Sequence, residues 1–176
     1  MDALFAIYTR RSVREYDPGH VEEEQLENLL KAAMSAPSAG NSRPWQFVVI
    51  DDREKLARIP FIHPHAKMAA HAAMAILVCG DPERERYPGL WPQDCAAATQ
   101  NILLAAHAQA LGAVWCGVYP DKELPEAFRE LLEIPEEIIP FSLVVIGRRP
   151  SEPKDPERYD SSRVHLNKYM PRKVGA

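Results

Sequence analysis

Residues Pro92 to Val118 read PQDCAAATQNILLAAHAQALGAVWCGV. Proline at the start suits a first helical turn, where its missing amide is not needed, and Gly112 suits the residue just past a helix end. Between them a run of alanines leads into Ile102, Leu103 and Leu104. The pattern predicts a helix over 92–111, the strongest in the chain. Alanine lets neighbouring backbones approach closely, so this helix is expected at the centre of the molecule. Asp94 lies near its start, where a carboxylate complements the helix dipole. The apolar run from Ala113 to Val118, with Trp115, Cys116 and Gly117, predicts a short strand directly after it.

Outward from that unit, Trp45 to Ile50 carries Phe47, Val48, Val49 and Ile50 without a break, as a strand buried on both faces requires. Met74 to Cys79 and Pro140 to Gly147 read as two further strands. Helices are expected over 2–9, 21–36, 52–59, 66–73 and 124–132. Asp2 caps the first, which gathers Leu4, Phe5 and Tyr8 on one face. Glu22 to Glu24 occupy the first turn of the second. From Arg148 onward the chain is polar and proline-rich, an arm suited to lying on a partner's surface. The order of elements gives an α+β or α/β sandwich with a four- or five-stranded sheet. No repeat or linker divides it, so residues 1–176 form a single domain, with 150–176 as the arm.

The composition sets limits. Of 176 residues, 46% are apolar and 26% charged, as in ordinary globular proteins. A formal charge of −4 argues against a protein built to hold nucleic acid. The longest apolar run, Ala72 to Cys79, falls well short of the ~18–20 residues of a membrane span. Met1 to Tyr8 runs straight into Arg10 and Arg11, against a secretory signal, and a cytoplasmic location is expected. Cys79, Cys95 and Cys116 are isolated and suit a reducing compartment. The 16 prolines cluster between elements and mark long ordered connections with something to wrap, a ligand or a second subunit.

Several chemistries find no support. There is no Gly-x-Gly pair for a dinucleotide or phosphate loop, and no Gly-x-Ser-x-Gly elbow. His63, His65 and His71 lack the helical zinc spacing and read better as a solvated proline-rich loop. Two features remain. Arg10, Arg11 and Arg14 crowd into a short loop with Ser12, either as a solvated patch or as a site for a phosphate, whose oxygens match the guanidinium fork. Pro37 to Trp45 places small hydrogen-bonding residues before a strand, either as a plain turn or as backbone able to lie against a planar ring.

These residues carry a resemblance. Arg10-Arg11-Ser12-Val13-Arg14 and Ala36-Pro37-Ser38-Ala39-Gly40-Asn41-Ser42-Arg43-Pro44-Trp45 resemble the two N-terminal signatures of the FMN-dependent nitroreductase family. Asp94 to Leu104 with Ala110 to Gly117 resembles its central helix and following strand. Ile146 to Pro150 and Ser162 to His165 resemble its C-terminal part. The resemblance implies an α+β, three-layer α/β/α sandwich with a mainly antiparallel sheet, and a homodimer holding FMN at the interface, its C-terminal arms exchanged. It implies NAD(P)H as electron donor and ping-pong hydride transfer through flavin N5 to nitroaromatic, quinone or related acceptors. A flavin-storage protein, or a flavin enzyme for dehalogenation or flavin fragmentation, is the alternative. By position, Arg10 and Ser12 hold phosphate, ribityl and pyrimidine groups, with Arg11 beside them through its backbone. Arg14 lies near N1 and O2 of the ring, as an electrostatic stabiliser. Pro37, Ser38, Ala39 and Asn41 come from the other subunit. Trp115, Cys116 and Gly117 bring a backbone amide to N5. Arg163, and as a lesser candidate Arg149, reach the phosphate. Arg43 stands where the family usually has glutamine. Cys116 is expected to pack rather than to act as a redox thiol.

Overall fold

A computed structural model describes residues 1–151 and 158–169. The segments 152–157 and 170–176 of the expected C-terminal arm lie outside the described residues. Nine main elements follow in order: α1 (Ala3–Thr9), α2 (Glu23–Met34), β1 (Trp45–Ile50), α3 (Arg53–Ile62), β2 (Met74–Gly80), α4 (Trp91–Ala108), β3 (Leu111–Gly117), α5 (Leu124–Leu132) and β4 (Ile139–Arg148). The stretch read as a helix over 66–73 is a 3-10 turn, Lys67–His71.

The four strands form one sheet in the order β1-β2-β4-β3, each neighbour antiparallel. A parallel bridge between Ser12 and Ala113 extends the β3 edge. Side chains alternate along each strand, so the sheet has two apolar faces. Ile76, Val78, Val144 and Ile146 meet α2 and α4 on one face. Leu77, Leu143 and Val145 meet α3 and α5 on the other, through Leu56, Ile59, Phe128 and Leu131. The result is the expected three-layer α/β/α sandwich. Inside it, the Thr99 hydroxyl donates to the Cys95 carbonyl at 2.7 Å, leaving its oxygen to accept from Ser142 at 2.9 Å and tie α4 to β4.

Three expectations are corrected. β1 is an edge strand, not a strand buried on both faces: Gln46 is exposed and Phe47 to Val49 are half-buried. The central helix stops at Ala108, and the turn is made by Ala110 at φ 61° rather than by Gly112. Gly112 sits inside β3, where a Cβ would come within 2.7 Å of the Val13 side chain. Its smallness serves a close strand crossing, not a helix cap. Finally, α1 keeps its Asp2 cap but buries only Ala6, leaving Leu4, Phe5, Ile7 and Tyr8 exposed.

Candidate active site

The outer edge of β3 is where the first arginine segment docks. Val13 donates its amide to the Ala113 carbonyl at 3.0 Å, and Tyr16 packs over Gly147 with its hydroxyl between the Val13 and Val145 carbonyls at 2.9 and 3.0 Å. Burial raises the Tyr16 phenol well above its ordinary pKa, so it stays a neutral donor. In an antiparallel strand, successive residues turn their backbone groups to opposite sides. Val118 donates inward to Phe141 at 3.0 Å, while the Ala113 carbonyl faces outward to Val13. The amides of Trp115 and Gly117 therefore face the open edge as well. The Gly117 carbonyl on that edge meets His63 Nε2 at 2.8 Å.

A pocket of about 550 Å³ opens here, lined by Arg14, His63, His65, Lys67, Trp115 and Gly117 among others. That is within the ~300–1,000 Å³ of small-molecule sites. Gly117 differs from Gly112 and Gly147: nothing lies within 4 Å of where its Cβ would be, and its φ is ordinary. Neither sterics nor backbone strain within this chain requires glycine at that position. The bare backbone leaves room for a flat group against the strand, with two outward amides to bond it.

The cations around this edge are arranged unequally. Arg11 folds back, its guanidinium donating to the Tyr8 carbonyl at 2.7 Å and to the Arg10 carbonyl, and so it closes the end of α1. Arg10 is half-buried, and burial with the charges of Arg11 and Arg158 lowers its pKa from the ordinary value. Among the described residues no carboxylate forms an ion pair with it. Arg14 is exposed at the pocket wall. Arg149 reaches His107 Nδ1 at 3.1 Å, and His107 Nε2 meets the Thr9 hydroxyl at 2.7 Å. Since that hydroxyl already donates to the Phe5 carbonyl, His107 donates from Nε2 and accepts at Nδ1. This relay ties Arg149 to the residue just before Arg10. Arg163 is paired with Asp160 at 3.0 Å.

The second signature lies at the other side of the sheet. Pro37 is exposed, and Ser38 Oγ accepts the Arg43 amide at 3.0 Å. The Ala39 amide donates to buried Asp94 at 3.0 Å, so Asp94 tethers this loop to α4 as well as standing in its first turn. Asn41 and Arg43 both adopt positive φ, 58° and 50°, and the Arg43 guanidinium donates to Asn41 Oδ1 at 2.9 Å. Arg86 donates its amide to Ser42 Oγ, and Gly40 packs against Arg86 and Tyr87, so the segment 82–92 braces the loop from outside. The loop leads into β1, three strand intervals from β3, or about 14 Å across the sheet. Arg10, Ser12, Arg14, Trp115, Cys116 and Gly117 are thus gathered at one sheet edge, while Pro37, Ser38, Ala39 and Asn41 stand at the other.

Three groups were not anticipated. Lys67 supplies a second cation to the pocket, Arg158 stands near Arg10, and His63 is 3% exposed rather than part of a solvated loop. Only the arm's richness in arginine hinted at Arg158. Among the described residues no group of histidine, cysteine and acidic side chains could hold a metal. Cys116 is buried, and burial pushes its thiol up to about 11 against the opposing charge of Arg14. It stays protonated near neutrality, as a packing residue does.

An antiparallel sheet between helices, with a cationic cleft on one edge strand, defines an α+β class with an open cleft beside the sheet. The sequence profile of the nitroreductase family matches residues 7–87 and 63–148. The chain is 48% identical to a protein of Methanothermobacter thermautotrophicus described as a candidate NADH dehydrogenase/NAD(P)H nitroreductase, over 96% of this chain and 88% of that one. A crystal structure of a protein similarly described, from Bacteroides thetaiotaomicron, superposes with a TM-score of 0.90 at 43% identity, covering 95% and 98% of the two chains. A candidate nitroreductase of Desulfovibrio desulfuricans, solved in complex with FMN, gives 0.80 at 30% identity, covering 96% and 98%. The chain belongs to the nitroreductase family.

Proposed function

We propose that the protein is an NAD(P)H-dependent FMN oxidoreductase that reduces nitroaromatic, quinone or related acceptors. The observation that carries this reading is the β3 edge: two outward amides at Trp115 and Gly117, an empty Cβ position, and the cations Arg14 and Lys67 in the pocket lining. These fit a planar, electron-accepting ring joined to a phosphate. The names of the relatives and the FMN complex of the Desulfovibrio protein support the same cofactors. FMN held in this cleft would supply the redox chemistry that links NAD(P)H to the acceptor. Arg10, with Ser12, Arg149 and Arg163, holds the phosphate end. Arg14 and Lys67 place positive charge beside the part of the ring that becomes electron-rich. One cleft serving donor and acceptor in turn gives ping-pong kinetics.

The site is completed by a second copy of the chain. Within one chain the two signatures stand at opposite sheet edges, so Pro37, Ser38, Ala39 and Asn41 reach the cleft from the partner. The exposed Leu4, Phe5, Ile7 and Tyr8 of α1 supply apolar surface for such a homodimer. A groove of about 450 Å³ beside β1, with Met34, Trp45 and Phe47 in its wall, suits an exchanged C-terminal arm carrying Val164, Leu166 and Tyr169. Three free, buried cysteines fit a cytoplasmic setting. No helix of the described residues is long and apolar enough to cross a membrane.

Anaerobic NADH or NADPH should bleach the flavin band of the FMN-loaded protein. A quinone or nitroarene should then restore it, and steady-state plots at several acceptor concentrations should be parallel. FMN that stays oxidised under both nucleotides would make the protein a flavin-storage module instead.

A further inference from the structure

We propose that His63 is a positioning residue for the flavin, fixing through the Gly117 carbonyl the direction of the backbone amide that meets the ring. The inference rests on the flavin reading above. His63 ends α3, where its amide bonds the Ile59 carbonyl at 2.8 Å. Its Nδ1 lies 3.2 Å from the backbone nitrogen of His65. A backbone N–H only donates, so Nδ1 accepts and the ring hydrogen sits on Nε2. From there it is donated to the Gly117 carbonyl at 2.8 Å.

Both ring nitrogens are therefore engaged by backbone. Neither is free to move a proton or bind a metal, so the role is geometric. Gly117 needs such a tether. It is the last residue of β3, it has no side chain to anchor it, and glycine is the most conformationally free residue. Val118 holds the next peptide from the inner side through Phe141, and His63 holds it from the outer side. The Gly117 amide belongs to the preceding peptide, which the pairing of Cys116 with Leu143 holds, so the clamp on the following peptide fixes the two Gly117 torsions between them and with them the direction of the outward amide. His63 is 3% exposed, so the donor side of the bond is shielded, while Gly117 itself lies exposed at the strand end.

Two substitutions separate the two bonds. His63→Asn keeps an acceptor near the position of Nδ1 and loses the donor to Gly117. His63→Gln keeps a donor near the position of Nε2. The readouts are the reduced-to-oxidised FMN ratio of the loaded protein against a reference dye, and the flavin absorbance spectrum. His63→Asn should change that ratio about tenfold at fixed dye potential, or about 30 mV for a two-electron couple. It should also shift the band, while His63→Gln stays within about twofold of the parent. If the asparagine variant does not fold, His63→Leu serves as the second donor-less variant and should show the same tenfold change. An unchanged ratio in the donor-less variant, or a glutamine variant as far displaced as it, would overturn the role of His63 while leaving FMN binding in place. A parent protein that takes up no FMN would overturn the flavin reading, and this inference with it.

Discussion

Arg10→Ala should purify folded and bind FMN about 10–100-fold more weakly than the parent. A charge-assisted hydrogen bond to phosphate contributes on the order of 1.5–3 kcal/mol, and Arg10, unlike Arg11, has that capacity to spare. Arg11 spends its guanidinium on the carbonyls of Tyr8 and Arg10. Arg10 instead sits half-buried among like charges, in a setting that lowers its pKa. Such an arrangement is unfavourable without an anion. Removing the charge should leave thermal stability unchanged or slightly higher while flavin occupancy falls. Arg14→Ala should also lose flavin, with a larger effect on the ease of reduction, because it lines the pocket together with Trp115 and Gly117, where the ring is proposed to lie. Unchanged absorbance of bound flavin in both variants would contradict the phosphate and ring assignments.

Gly117→Leu should abolish FMN uptake without unfolding the protein. The Cβ at 117 meets open space, φ is ordinary, and a side chain at a strand end limits the freedom of the unfolded chain, so stability should change by no more than about 1 kcal/mol. The leucine would fill the space against the strand where the ring is proposed to lie. Gly112→Ala provides the contrast. Its Cβ falls 2.7 Å from Val13, so it should lower stability by about 1–3 kcal/mol through overpacking. Thermal melts with a flavin titration separate the two behaviours. A Gly117→Leu protein that still binds FMN at parental affinity would show that the flavin does not lie against β3.

Much of the fold was legible because the signals are local. The Asp2 cap, the four apolar strand runs and the alanine-rich helix all depend on spacing within a few residues. The errors arose where one local pattern serves two structures. A continuous run such as Phe47 to Ile50 suits a central strand, but equally an edge strand whose outer side is covered by other means; nothing inside the run gives its place in the order β1-β2-β4-β3. Gly112 has the identity of a helix cap, but Val13, far away in sequence, is what demands it. In the site, the arginine loop and the small-residue loop stood out because their residue types are unusual together. His63 did not, since its meaning depends on a carbonyl 54 residues away. Lys67 is an ordinary surface cation until folding brings it to the cleft, and Arg158 until folding brings it near Arg10.

The proposed site is built from two chains, and mixed dimers test this most directly. Gly117→Leu disables the β3 side of a cleft, and Asn41→Trp disables the loop side. Each homodimer should be free of FMN. In a dimer with one chain of each kind, both defects fall in the same cleft and the other cleft is intact, so one FMN per mixed dimer is expected. If each chain builds its own site, the mixed dimer binds none.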